Sequence, residues 1–281
     1  MALITCDFIS KSLMRTVTIK AVIPTDKLKF GPDAGKKEAP KKYKTLYLLH
    51  GVFGNYTDWV SGTRIQRWAD EKDLIVIMPS GENKFYVDNP HSGDNFSKFI
   101  GEELVEFTRK TFPCSEKPED TFIAGLSMGG YGALTNGLKY NETFGSVATL
   151  SAALILNGAY ASEYDESGWT LGNRYYYESF FGPIEKLEGS DKDYYALIDN
   201  LVKDGKKIPN LYMCCGTEDT LFPENERYHK HLEKLGVEHT WDIGPGVHDW
   251  NFWDSYIQNV LAWLPLDNAE AGINSGNVQT K

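Results

Sequence analysis

Short, uninterrupted apolar runs separated by amphipathic segments constrain this chain more than any other feature. The runs are TLYLLHG (45–51), LIVIMPS (74–80), TFIAGLS (121–127), GSVATLS (145–151), NLYMCCGTED (210–219) and VEHTWDI (237–243). A strand with one face in water alternates polar and apolar residues, whereas a strand covered on both faces reads as a continuous apolar run. Between the runs lie amphipathic stretches at 64–71, 99–111, 129–140, 224–235 and 250–264. Strand and helix in this alternation specify an α/β fold on a doubly wound, mostly parallel sheet. Reactive groups in such a sheet gather on loops at the carboxyl ends of the strands. One further stretch, RTVTIKAVIP (15–24), alternates strongly and is expected as an antiparallel strand near an edge.

The interval 154–207 breaks the rhythm. It holds Tyr160, Tyr164, Trp169, Tyr175, Tyr176, Tyr177, Phe180, Phe181, Tyr194 and Tyr195. It is too long for a plain connection and is expected to be a lid-like insertion within one domain spanning 1–266. Residues 267–281 have little to bury and are expected to be a flexible C-terminal tail. The Lys-, Gly- and Pro-rich stretch at 26–44 reads as a solvated loop.

A net charge of −10 argues against a nucleic-acid backbone or an anionic membrane as partner. No apolar segment approaches the ~20 residues of a membrane span. The amino-terminal MALITCDFISKSLMR has too short an apolar run for a signal peptide, so a cytoplasmic protein is expected, although a chain trimmed of its signal would look the same. Four cysteines, two of them adjacent in an apolar run, suggest packed, reduced thiols rather than disulfides. No Cys/His spacing suggests a metal site.

Gly125-Leu126-Ser127-Met128-Gly129 fits G-x-S-x-G, between an apolar run and an amphipathic segment. Glycines around a serine can serve only to relieve a tight turn. The same arrangement is what a strained elbow needs to hold a nucleophile, because the turn leaves no room for side chains two positions to either side. The helix start would aim free N–H groups and a partial positive charge at the reaction centre.

A serine hydroxyl needs a base. Among six histidines, His229 and His231 fall on a charged helical segment and are expected to face solvent. His239 sits in a strand, His50 is expected to shape a loop, and His91 lies on a loop that could reach substrate. His248, in GPGVHDW between the last strand and the final helix, is where a base in this fold should come from. Asp219 is the expected carboxylate partner, with Glu218 its close competitor and Asp242 and Asp249 weaker ones. Oxyanion donors are expected from the N–H of Met128 and of Val52.

Four motifs in order, LYLLHGVFGNYTDW, FIAGLSMGGYGAL, CCGTEDTLF and GPGVHDWNFW, resemble the esterase D-like family of serine carboxylesterases, within the α/β-hydrolase superfamily. That family includes tributyrin-type, acetyl and feruloyl esterases and S-formylglutathione hydrolases. The resemblance covers residues 13–265. It implies nucleophile Ser127, acid Asp219 and base His248, an oxyanion loop beginning at Gly51, and no metal or organic cofactor. The HDWNFW ending is more similar to the tributyrin, acetyl and feruloyl esterases than to the formylglutathione hydrolases.

The expected activity is therefore hydrolysis of short acyl, acetyl-type or cinnamoyl esters, including esters on plant-polysaccharide-derived carbohydrate, through an acyl-enzyme. The expected partner is a small-molecule or oligosaccharide ester. Rival readings are a glutathione thioesterase, an acyltransferase and a non-catalytic binding module. The aromatic insert matches no substrate signature, and homo-oligomerisation is left open.

Overall fold

The computed structural model describes residues 1–27, 41–166, 170–267, 269 and 272–273. Trp169, most of the Lys-rich loop and the greater part of the C-terminal tail lie outside the described residues. Among the described residues ten strands form, in chain order β1 (Ala2–Ser10), β2 (Arg15–Ile23), β3 (Thr45–Leu49), β4 (Ile75–Pro79), β5 (Asp88–Asn89), β6 (Asp94–Asn95), β7 (Thr121–Leu126), β8 (Ser146–Leu150), β9 (Asn210–Gly216) and β10 (His239–Gly244). Eight of them build one sheet in the order β1-β2-β4-β3-β7-β8-β9-β10, and β5 and β6 pair as a separate ribbon. The six strands from β4 to β10 in that order run parallel, while β2 pairs antiparallel with both β1 and β4.

Alternate residues of the central strands enter two different cores, which explains the uninterrupted apolar runs. Tyr47, Ile75, Ile77 and Ile123 face one cluster, together with rings from residues 96–107, 131–144 and the insert. Leu46, Leu48, Val76, Met78, Phe122 and Ala124 face the other, packed by Trp59, Trp68, Trp253 and Ile257. Each such Leu or Ile removed from water contributes ~2 kcal/mol. A polar residue at either parity would forfeit that, so both parities must be apolar.

The sequence reading leaves β1 unassigned. Its Ile4, Cys6 and Phe8 pack on the first core while Leu3, Thr5, Asp7 and Ile9 are exposed, the alternation of a half-covered edge strand. Phe8 stacks on Phe107 with ring centroids 3.7 Å apart. The strand Arg15–Ile23 thus lies one place in from the edge.

The insert contributes helices Leu156–Tyr160, Arg174–Phe181 and Tyr194–Lys203. Tyr176, Tyr177, Phe180, Phe181 and Tyr194 are buried, whereas Tyr160, Tyr164 and Tyr175 are exposed. Phe180 stacks on Phe85 at 4.4 Å, and Phe181 packs 5.8 Å from Tyr131 on the helix that follows β7.

Strand order places the reactive loops. From β3 the chain crosses to β4 on one side and then returns to β7 on the other, so β3 and β7 flank a switch point where their following loops diverge. Register aligns Leu49 with Gly125, Leu126 with Leu150, Leu150 with Cys214, and Gly216 with Gly244. The loops after β3, β7, β8, β9 and β10 therefore leave the sheet at one level.

Candidate active site

Ser127 sits between β7 and the helix Met128–Lys139 with φ 52° and ψ −118°, a conformation that a non-glycine residue occupies only when its surroundings enforce it. They do. The Ser127 N–H donates to the Leu150 carbonyl at 2.9 Å, and its carbonyl accepts from Ala153 N–H at 2.9 Å and Tyr131 N–H at 3.1 Å. A Cβ at Gly125 would lie 2.3 Å from the Gly129 carbonyl oxygen, and one at Gly129 would lie 2.3 Å from that of Leu49. The two outer glycines of the motif are steric necessities of the elbow.

The Ser127 hydroxyl donates to His248 Nε2 at 3.0 Å, and His248 Nδ1–H donates to Asp219 Oδ2 at 2.8 Å. This tautomer leaves Nε2 free to accept the serine proton. Asp219 also accepts the Leu221 N–H at 2.8 Å. Burial opposes ionisation of Asp219, but its hydrogen bonds to His248 and Leu221 prevail and hold the carboxyl below its usual range. Ser127 is buried, at 6% exposure for the whole residue, while the His248 side chain is 31% exposed, so the site opens to solvent on the imidazole side. Trp253 meets the imidazole edge-on, centroids 4.9 Å apart.

The competing carboxylates go elsewhere. Glu218, adjacent to Asp219, accepts the Gly246 N–H at 2.6 Å. Asp242 binds the Tyr212 hydroxyl and Asn259, and Asp249 caps the final helix at Phe252 N–H. Cys215 lies near Asp219, and burial pushes its thiol up to about 12, so it supplies no thiolate at neutral pH.

Met128 opens its helix, where a first-turn N–H has no intrahelical acceptor. Gly51 brings the other loop close, since a Cβ there would lie 3.4 Å from Ser127 Cβ, and the Val52 side chain turns into the first core. Residues not singled out in the sequence hold this loop. Trp59 Nε1–H donates to the Leu49 carbonyl at 3.0 Å and the Tyr86 hydroxyl to the His50 carbonyl at 3.0 Å. His50 itself accepts Gly81 N–H at Nε2 and donates from Nδ1 to the Gly51 carbonyl, and burial pushes its imidazole below the usual value. It shapes the loop. Trp59, in the NYTDW stretch, had an aromatic letter beside the loop as its only signal, and Tyr86, some thirty residues further on, had none.

The remaining histidines stand apart from Ser127 in role. His91 is exposed. His229 and His231 are half-buried rather than turned fully to solvent as expected: His229 bonds His239 at 2.7 Å and stacks on Trp241, and His231 bonds Asp199 between Tyr195 and Tyr228. Aromatic neighbours on β10 and the insert cover that face of their helix. Among the described residues, no group of three or more His, Cys, Asp or Glu could hold a metal, and no helix is long and apolar enough to cross a membrane.

The sequence profile of the Esterase family, described as "Putative esterase", matches residues 13–264. The chain belongs to the Esterase family. This esterase is 42% identical over 266 residues to an acetyl esterase of Caldicellulosiruptor saccharolyticus, covering 94% of this chain and 98% of that one. Its fold is that of the fluorophosphonate-binding serine hydrolase FphF of Staphylococcus aureus, with TM-score 0.81 and 30% identity over 94% of this chain and 98% of that one. The S-formylglutathione hydrolase FrmB of Staphylococcus aureus matches with TM-score 0.79 and 30% identity at the same coverages. The esterase is thus a carboxylic ester hydrolase of the α/β-hydrolase fold.

Proposed function

We propose that this esterase hydrolyses short acyl esters, acetyl esters above all, through a covalent acyl-enzyme formed on Ser127. The observation that carries the reading is the chain Ser127 Oγ, His248 Nε2, His248 Nδ1, Asp219 Oδ2, at 3.0 and 2.8 Å, mounted on a strained elbow. His248 takes the serine proton as Oγ attacks the carbonyl, then gives it to the departing alcohol. Asp219 keeps the imidazole in the Nδ1–H tautomer and steadies the imidazolium. The N–H groups of Met128 and Val52 receive the oxyanion, each worth ~3 kcal/mol in the transition state. Water, activated by His248, releases the acid in the mirrored second half.

The acetyl preference is supported by the acetyl esterase relative, which matches nearly end to end. Exposure of His248 supports a bulky alcohol, such as a carbohydrate, on the leaving-group side. We assign residues 154–207 the role of a lid on the acyl side. Its support is the packing of Phe180 and Phe181 on Phe85 and Tyr131, beside the helix that Ser127 opens. A glutathione thioesterase is the second reading, favoured by the likeness to FrmB.

The test is Ser127→Ala, expected to remain folded and to lose at least about a thousandfold in turnover. Retention of more than about a tenth of wild-type turnover overturns the assignment. A panel of p-nitrophenyl esters, acetylated and feruloylated oligosaccharides and S-formylglutathione decides the substrate class.

A further inference from the structure

The geometry points to Glu218 as a positioning residue for the base, a latch that fixes the His248 loop through the backbone of Gly246. This inference rests on the reading of Ser127, His248 and Asp219 given above. The β9–β10 ladder ends where Gly216 faces Gly244. One rung continues it, Thr217 N–H to the Gly244 carbonyl at 2.9 Å. Pro245 then interrupts, because it has no N–H to donate.

Past that break the two loops are rejoined by Glu218 from both ends. Its own N–H donates to the Gly246 carbonyl at 3.1 Å, and its carboxylate accepts the Gly246 N–H at 2.6 Å. Charge-assisted bonds of this kind are shorter and stronger than neutral ones. Thr217 Oγ1–H donates to the other carboxylate oxygen at 2.9 Å, which aims it.

The approach of the two loops needs glycine at 216, and the packing of the His248 loop on the final helix needs glycine at 246. A Cβ at Gly216 would lie 2.2 Å from the Gly246 carbonyl oxygen, and one at Gly246, where φ is +153°, would lie 2.5 Å from the Phe252 ring. Gly246 is two residues before His248, and the next backbone bond along the loop is the local one from Asp249 N–H to the Val247 carbonyl at 2.9 Å. One turn, Thr217-Glu218-Asp219, thus delivers the carboxylate that orients the imidazole and the carboxylate that places its backbone.

A solvated carboxylate with no such role would leave turnover untouched when removed, so a split of kcat from KM and rescue by the amide distinguish the two. With the full chain and p-nitrophenyl acetate, Glu218→Ala is expected to lower kcat about ten- to thirtyfold, less than the roughly hundredfold of an ångström's misplacement. KM should stay within about twofold, as for a residue that does not touch substrate. Glu218→Gln, whose amide oxygen still accepts the Gly246 N–H, should stay within about threefold of wild type. The rate of fluorophosphonate labelling at Ser127 should fall in Glu218→Ala by the same factor as kcat.

Turnover of Glu218→Ala within about twofold of wild type overturns the latch, as does a Glu218→Gln variant as impaired as the alanine one, or a rise in KM matching the fall in kcat. If the alanine variant does not fold, Glu218→Asp, one methylene short of Gly246, must lose at least about fivefold in kcat, and failure to do so overturns the proposal. Ser127→Ala separates the two layers. Activity that survives in it refutes the site itself, whereas labelling abolished in Ser127→Ala and unchanged in Glu218→Ala refutes only the latch.

Discussion

Asp219→Asn is the sharpest probe of the hydrogen-bond chain, because the structure limits how the amide can sit. The two carboxylate oxygens have different partners, His248 Nδ1–H on Oδ2 and Leu221 N–H on Oδ1, and the side chain has no exposure. If the amide oxygen stays on the Leu221 N–H, the NH2 group faces Nδ1, which must then accept. The ring proton moves to Nε2 and points at Ser127 Oγ, so the base cannot take the serine proton. A wrong tautomer of this kind costs about ten-thousandfold, or ~5 kcal/mol.

The alternative is a flipped amide, which keeps the tautomer but sets NH2 against the Leu221 N–H. Leaving that half-buried donor unpaired costs ~2 kcal/mol, equivalent to about thirtyfold. Kcat for p-nitrophenyl acetate is therefore expected to fall between about thirtyfold and ten-thousandfold. Tm should change little, and Glu218→Gln measured alongside should lose no more than about threefold. A loss below about tenfold in Asp219→Asn, or an equal loss in the two variants, refutes the reasoning, since the carboxylate would then not control the imidazole.

Three further outcomes are expected. Gly129→Ala should lower the urea midpoint by the equivalent of about 3 kcal/mol or more, because its Cβ would meet the Leu49 and His50 carbonyl oxygens, which are backbone and cannot yield; a neutral effect contradicts the elbow geometry. Phe53 holds φ 66° and the residue is 71% exposed, so Phe53→Gly should relieve ~1 kcal/mol of strain and raise Tm by about 2 °C, and a fall in Tm would show that the ring is packed. Stability should be flat near neutrality and decline in acid. Burial pushes His50 below 6.5, so the unfolded chain binds its proton first and the loss begins at about pH 6.5. Asp73, Asp94 and Asp219 are held below 3.8 and Glu103 below 4.5, with burial outweighed by bonds to lysine, arginine, histidine or N–H partners. Their stabilisation is complete above those values and is lost as pH falls through the lower folded ones. A urea midpoint that rises between about pH 6.5 and 3 contradicts this.

The parallel sheet, the elbow and the chain order of serine, carboxylates and histidine are legible in the sequence because each is a local property. A strand buried on both faces must be apolar at every position, as Leu46, Tyr47 and Leu48 are, and a serine held at φ 52° in this turn must have glycines two residues away. The edge strand Ala2–Ser10 shows a weaker sign, since four exposed positions dilute its apolar half. Sequence puts Asp219 ahead of its neighbour Glu218 as the partner of His248 but does not show what the second carboxylate does. Only the tertiary structure shows where each one points, because successive side chains in a turn leave the backbone in different directions. One carboxylate reaches the imidazole and the other the backbone of Gly246, on a loop 28 residues away in the chain. His229 is decided in the same way. Its helix reads as a charged surface, and the Trp241 and His239 that cover it belong to a strand whose position depends on how the whole sheet is ordered. The pattern of single residues along a chain records which faces are apolar. Which partner lies opposite a polar side chain depends on packing between segments distant in sequence, and no local pattern carries that information.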